Sequence, residues 1–177
     1  EGVSELSAAT RGVLHPARLP TFHREPVTGE LSVFVRWFWI PEWNIEPGRS
    51  SRQHLIGFPA SNLVVEGDRA EISGPTTRAA HRDLTGRGWA VGALLRPAAT
   101  PALVGDVTEL RDSAREVDLP ELTMAVAAAM SSGSPPADRA ATTGDAASAS
   151  DAEATDSARR SRAVAAFSSW LLEHLDK

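Results

Sequence analysis

The chain contains no cysteine and no tyrosine, and its single lysine is Lys177. Without cysteine, disulfide bonds and every thiolate metal site are excluded. No apolar run approaches the ~20 residues that a transmembrane helix needs. Residues 1–16 also lack the basic start and the apolar middle of a signal peptide. We therefore expect a cytoplasmic protein that makes no contact with a membrane.

Positive charge is scarce as well. The formal net charge is −5, and the arginines are scattered along the chain, with no basic stripe. Binding to nucleic acid depends largely on Lys and Arg side chains that neutralise phosphates. We therefore do not expect this chain to bind DNA by itself.

The composition changes sharply near residue 131. Residues 131–162 contain no Val, Ile, Leu, Met, Phe or Trp, and five acids face one base between Asp138 and Asp156. Such a segment buries too little apolar surface to offset its ordering entropy. The chain is therefore expected to have three parts: a main domain at 1–130, a flexible Ala/Ser/Asp-rich linker at 131–157 and an amphipathic helix at 158–177.

Four apolar residues of the last segment recur at spacings of three and four, which predicts one apolar face of a helix. They are Val164, Phe167, Leu171 and Leu175. Asp156 or Ser157 is the expected N-cap. The face either docks on the protein's own core, which we favour, or serves as a dimerisation helix. It spans barely two heptads, too short for a stable coiled coil alone.

The main domain has the pattern of a β-rich fold. From Trp37 onward, aromatic and β-branched residues are punctuated by turn signals, whereas the proline-rich segment 15–26 is expected to be extended chain or loop. Close turn spacing predicts an antiparallel sheet that curls into a small barrel or sandwich. The expected fold class is α+β, mostly β, with helices after the sheet. The predicted strands lie near 36–45, 52–57, 62–66, 69–73 and 88–96, and the predicted helices at 98–104 and 120–130.

Residues 34–43 read FVRWFWIPEW and hold half of the chain's aromatic residues. Alternate residues of a strand share a face, so Trp37, Trp39 and Trp43 are expected to point the same way. They build either a thick core, the commoner case, or the wall of a pocket. We expect them to line the inside of the barrel, part of which accepts a small effector. Arg52 and His54 share a strand face and are either further candidates for the pocket wall or solvated residues.

Signals for catalysis and for metal binding are missing. The five histidines, His15, His23, His54, His81 and His174, form no H-x-H or H-x-x-x-H pair. There is no G-x-S-x-G motif and no P-loop. The glycines of residues 86–92 fit a tight turn and close strand packing better than a nucleotide loop. We predict no enzyme activity, no catalytic residue, no metal and no cofactor.

Several short motifs follow one another in a characteristic order between about His15 and Met130. They are F-H-R-E, L-x-x-F-V-x-x-F-W with a trailing tryptophan, P-G-R-x-x-R-Q, F-P-x-x-N-L-V-V-E, S-G-P-T-T-R and G-W-A-V-G-A-L-L-R-P-A-A-x-P-A-L. In this order and spacing they resemble the N-terminal domain of one group of AraC-type bacterial transcriptional regulators.

The resemblance implies a cupin-like or jelly-roll domain that senses an effector or dimerises. It also implies a C-terminal DNA-binding part of roughly 100 residues with two helix-turn-helix motifs, which this chain lacks. The helix at 158–175 would then be the connector, although the long linker departs from the family pattern. The implied partners are an unknown small-molecule effector, a second copy of the chain, and DNA only through the missing part. The alternative is a stand-alone cupin-like small-molecule-binding or interaction module, and we rank a metal-dependent cupin enzyme below both.

Overall fold

The computed structural model describes residues 21–55, 57–132 and 146–175. In that part of the chain nine strands form two antiparallel sheets, and three α-helices and two short 3-10 turns accompany them. The strands are β1 (Thr21–Pro26), β2 (Val35–Asn44), β3 (Ser50–Leu55), β4 (Asn62–Glu66), β5 (Arg69–Ser73), β6 (Ala80–Thr85), β7 (Arg87–Trp89), β8 (Val91–Leu95) and β9 (Ala114–Val117). The α-helices are α1 (Ala99–Val104), α2 (Pro120–Ser131) and α3 (Ala146–Leu175).

The predicted fold class, α+β and mostly β with antiparallel sheets, is confirmed. The larger sheet has the strand order β1-β2-β8-β4-β5-β9, with β7 beside the end of β2, and the smaller sheet pairs β3 with β6. Among the described strands, β1 and β9 are the two edges of the larger sheet and do not pair with each other. The sheet therefore stays open, and the described strands do not close into a barrel.

Three strands, β1, β6 and β9, are missing from the sequence prediction. Segment 15–26 was expected to be extended chain or loop, and from Thr21 onward it is extended as strand β1. The strand tolerates Pro26 at its end, beside the open sheet edge. The strands β6 and β9 are exposed along nearly their whole length, so they show no alternation of apolar and polar residues. The predicted strand at 88–96 is split at Ala90, where β2 changes its partner from β7 to β8.

The main core lies between one face of the larger sheet and the helices. Phe38 and Ile40 of β2 are fully buried there, and the Phe38 ring lies 5.5 Å from the ring of Phe167 in α3. We call this the helix face. The opposite face carries Trp37, Trp39 and Trp43, and we call it the tryptophan face. The smaller sheet covers part of it through Leu84 of β6.

A β-bulge at the start of β2 allows both faces to be filled. Val35 pairs with Leu95 and Trp37 pairs with Leu94, so Arg36 is the extra residue in β2. Without the bulge, Val35 would point to the face that Trp37 occupies. With it, Val35 is buried in the main core.

The last helix begins at Ala146, well before the predicted start at residue 158, so the proposed N-cap at Asp156 or Ser157 is wrong. Its first turns are rich in alanine, the strongest helix former, and residues 150–158 stay helical although all but Asp156 are exposed. Residues 133–145 of the predicted linker lie outside the described residues. No helix in the described ranges is long and apolar enough to cross a membrane.

The predicted apolar face of α3 packs on the protein's own core. Phe167 and Leu171 are fully buried, Leu175 is nearly so, and Val164 packs against them from the edge. Arginines of α3 also cap the end of α2. Arg159 donates to the carbonyl of Met130 at 3.3 Å and Arg162 donates to the carbonyl of Ser132 at 3.2 Å, which satisfies carbonyls that a helix end leaves without partners.

Candidate functional site

Trp39 and Trp43 lie flat against neighbouring strands because glycines leave room for their rings. A Cβ atom at Gly92 would lie 2.1 Å from the Trp39 ring, and one at Gly88 would lie 2.4 Å from the Trp43 ring. Both distances are far below van der Waals contact, so a larger residue would displace the indoles. The glycines of the 86–92 stretch thus serve close strand packing.

The indole N–H groups of these two tryptophans are satisfied inside the fold. Trp39 Nε1 donates to Asn62 Oδ1 at 3.0 Å, and Trp43 Nε1 donates to the Thr85 carbonyl at 3.2 Å. Both rings belong to a second, smaller apolar cluster on the tryptophan face, with Val64, Leu84 and Ala90. These two tryptophans therefore join β2 to β4 and to the smaller sheet as a core element.

Trp37 lies on the same face but at its surface. The guanidinium carbon of Arg24 lies 4.5 Å from the ring centroid, and that of Arg36 lies 4.7 Å from it, both within cation–π range. The ring of Phe58, itself 39% exposed, meets Trp37 edge-on at 6.3 Å. Trp37, Trp39 and Trp43 do share one face. The prediction that they line the inside of a barrel is wrong, because that face belongs to an open sheet.

A cleft of about 1030 Å³ opens at one end of the sheet, and we call it the rim cleft. It lies where the end of β2, the β4–β5 turn and β7 meet the C-terminus of α2 and the middle of α3. Of the five residues predicted for a pocket wall, all of which the structure describes, Trp43 lines this cleft. Trp37, Trp39, Arg52 and His54 lie elsewhere.

Arg52 and His54 are exposed on β3. Arg52 Nε and Nη2 each donate to the Asp83 carboxylate of β6 at 2.7 Å. This bidentate contact holds the pKa of the Asp83 carboxyl below its usual range. His54 lies opposite His81 in the register of the smaller sheet. The structure therefore shows Arg52 as a cross-strand ion-pair residue, already matched by a carboxylate.

A buried charge network forms one wall of the rim cleft. The Glu42 carboxylate of β2 accepts one hydrogen bond from Arg159 and another from Arg160 at 3.1 Å. Arg159 also donates to Asp156 at 3.0 Å and to the Met130 carbonyl. The side chains of Arg159 and Arg160 are only 6% and 9% exposed, and that of Glu42 is 17% exposed. Arg159 thus joins three elements, β2, α2 and α3, at one guanidinium group.

Sequence reasoning does not single out Glu42, Arg159 or Arg160. One signal could have found the arginines, because both precede Ala163 by about one helical turn and therefore continue the buried face of α3 toward its N-terminus. Two bases on the buried side of a helix indicate a carboxylate partner in the core. The sequence contains no indication that this partner is Glu42.

His23 of β1 lies on the helix face close to this network. Its Nε2 atom is buried and has no hydrogen-bond partner among the described residues. Burial lowers the pKa of His23, and the positive charge of Arg160 lowers it further, whereas Glu42, Glu25 and Glu153 act in the opposite direction. The folded protein therefore favours the neutral form of His23 over the charged form, relative to a solvated histidine.

We expect the free energy of unfolding to fall as the pH drops below about 6.5, and to fall less in the variant His23→Gln. The pKa of His23 is lower in the folded state than in the unfolded state. The unfolded state therefore takes up the proton first, near its pKa of about 6.5, and protonation favours unfolding. The contribution of His23 to the free energy of unfolding is therefore present above the unfolded pKa, and it is lost as the pH falls through the folded pKa.

Urea unfolding at several pH values measures this effect. His81→Gln, at an exposed position of β6, is the matched control and should keep the pH dependence of the unsubstituted protein. Equal pH dependence in His23→Gln and the unsubstituted protein would contradict the assignment.

Within the residues that the structure describes, no three His, Asp or Glu side chains are placed to hold a metal ion together.

A family model described as a domain of unknown function (DUF6597) matches residues 14–116, more than half of the chain. The chain belongs to this family. No curated protein and no solved structure matches the chain.

The residues matched by the DUF6597 model form only one side of the rim cleft. It covers β1 to β8 and most of β9, and it ends before α2 and α3. The sheet side of the cleft, with Glu42 and Trp43, therefore lies inside the DUF6597 region. The helical side, with Met130 and Arg159, lies outside it. The cleft forms only where the DUF6597 sheet meets the helices that follow it.

Proposed function

We propose that this chain is the regulatory domain of an AraC-type bacterial transcriptional regulator, and that it senses a small molecule, dimerises, or does both. The order of motifs between about His15 and Met130 supports the assignment to this class. The rim cleft supports the sensing role, because it has the size of ligand sites in proteins. The effector enters the cleft from the open end of the sheet.

The observation that carries the proposal is the position of the cleft between the sheet and α3. A ligand in it touches the end of β2 and also Asp156 and Arg159 of α3. In the proposed regulator, α3 is the element that leads toward the DNA-binding part. A ligand bound at its base is therefore well placed to change the output.

The mechanism is a shift between two arrangements of α3. Arg159 holds α3 to Glu42 on the sheet and to Met130 at the end of α2. A ligand that contacts Arg159 changes the relative free energy of the docked and displaced helix, by as much as its affinity differs between the two. The sheet stays the same, and the helix carries the signal.

The test is a thermal-shift screen of small metabolites, followed by hydrogen exchange. A ligand that binds only the folded protein raises its Tm, and it should also slow amide exchange in α3. Ser131→Trp places an indole at the wall of the cleft and should abolish the shift. Ser169→Trp, at an exposed position of α3, is the matched control. A screen without any binder, together with a monomer at every concentration tested, would contradict the proposal.

A second candidate function is a stand-alone interaction module, and the surface around Trp37 favours it. A half-buried tryptophan flanked by arginines, Arg24 and Arg36, and by the exposed Phe58 has the composition of binding hot spots. In that case Trp37→Ala should abolish self-association in sedimentation experiments and leave ligand binding unchanged. Self-association that survives this substitution would exclude the Trp37 surface as the contact.

A further inference from the structure

We infer that the rim cleft takes a small molecule with one anionic group, a carboxylate or a phosphate, attached to an apolar or aromatic body. This inference rests on the proposed sensing function and specifies the class of ligand. It is carried by the charges that line the cleft, by one buried donor in its wall, and by the aromatic residues beside them.

The charges of the cleft favour an anion although the whole chain is acidic. Three of its carboxylates are already matched: Glu42 by Arg159 and Arg160, Asp156 by Arg159, and Glu66 by Arg82. In contrast, Arg69 and Arg87 line the cleft, are exposed, and make no ion pair within the described part of the chain. Asp68 is the carboxylate of the wall that remains without an ion pair there. The charge left for a ligand is therefore positive.

A buried donor in the same wall points to a ligand as well. The side chain of Arg159 is 94% buried, yet its Nε–H has no acceptor among the described residues. An unmatched buried donor of this kind costs free energy that an acceptor would recover. The Nε atom is closed to solvent, so a ligand anion supplies this acceptor when the Arg159 side chain turns its Nε–H toward the cleft. Arg69 and Arg87 neutralise the charge of the anion from the mouth of the cleft.

The remaining lining is suited to an apolar body. Trp43, Trp89 and Met130 lie on the wall. Indole rings bury large apolar areas and stack on planar groups. A planar hydrocarbon that carries one anionic group matches both parts of the cleft. A compact inorganic ion would use only the arginines.

The experiment compares four probes that share a naphthalene body and differ in the charge of its substituent, by calorimetric titration of the full chain. They are 2-naphthoate, 2-naphthyl phosphate, 2-naphthamide and 2-naphthylmethylamine, and inorganic phosphate serves as a fifth, apolar-free probe. We expect at least one of the two anions to bind roughly tenfold or more tightly than the amide, the amine to bind most weakly, and inorganic phosphate to bind more weakly than the naphthyl anion. The better anion identifies the source of the charge, carboxylate or phosphate.

The variant Arg87→Gln should weaken binding of the better anion by about tenfold and leave the amide unchanged. Arg96→Gln, at an exposed arginine outside the cleft, is the control and should bind like the unsubstituted protein. Tighter binding of the amine or the amide than of either anion would overturn the inference, as would an Arg87→Gln variant with unchanged affinity. The sensing function itself would survive those results if the metabolite screen yields a binder that Ser131→Trp abolishes.

Discussion

Replacing Phe167 by Ala should lower the free energy of unfolding by about 3–5 kcal/mol, the range for removing a buried aromatic ring. Phe167 is fully buried at the centre of the contact between α3 and the sheet, and its ring packs at 5.5 Å against Phe38. Its loss leaves a cavity that α3 and the sheet cannot close without moving the helix. Stabilities of single domains are typically about 5–15 kcal/mol, so this variant should be marginally folded.

Urea unfolding measures the loss, and Ser169→Ala on the exposed side of α3 is the matched control, with an expected change within about 0.5 kcal/mol. Hydrogen exchange separates two outcomes of the substitution. If α3 is part of the cooperative unit, its amides and those of β2 lose protection together. A loss below about 1 kcal/mol would contradict the docking of α3 on the helix face.

The tryptophan face shows which features can be predicted from the local sequence and which cannot. That Trp37, Trp39 and Trp43 share a face follows from the period of a strand alone. Which side of the sheet they occupy depends on Phe38 and Ile40, which take the side covered by the helices. The sequence around β2 is aromatic or aliphatic on both faces, so no local pattern separates the large core from the small one.

The exposed strands of the smaller sheet, β3 and β6, show a second limit of prediction from sequence. The β3–β6 pair is held by its backbone ladder and by cross-strand contacts such as Arg52 with Asp83, 31 positions apart. Apart from Leu55, Ala80 and Leu84, the residues of this pair are polar, because solvent covers most of it. The hydrophobic pattern from which strands are predicted is therefore weak: β3 is predicted near 52–57, whereas β6 is missed. The buried strands β4 and β5, in contrast, were predicted with their observed bounds.

The candidate site depends on long-range pairing. Glu42 and Arg159 are 117 positions apart, and each looks like an ordinary charged residue in its own segment. Trp43 was predicted as a wall residue and does line the rim cleft, because it lies near the end of β2 where the cleft opens. The arginines that complete the cleft could not be assigned, since their roles depend on where α3 crosses the sheet.

Replacing Glu42 by Gln should cost about 3–5 kcal/mol of unfolding free energy, as is typical when one partner of a buried ion pair is removed. Glu42 is the carboxylate that both Arg159 and Arg160 share, and both guanidinium groups are nearly inaccessible to water. Glutamine keeps the shape and one acceptor oxygen, but it removes the negative charge. Two buried cations then lie side by side, with Asp156 as the remaining partner of Arg159.

The control for this substitution is Glu46→Gln. Glu46 also pairs with an arginine, Arg49 at 3.2 Å, but both side chains are at least three-quarters exposed, so its loss should cost less than about 1 kcal/mol. The decisive comparison is the double variant Glu42→Gln with Arg160→Met. Removing one of the two adjacent buried cations should restore part of the stability that Glu42→Gln loses, because the repulsion between them is then gone. If the two substitutions simply add, Glu42 does not hold α3 through the paired arginines, and a ligand at Arg159 would have no charge network through which to move the helix.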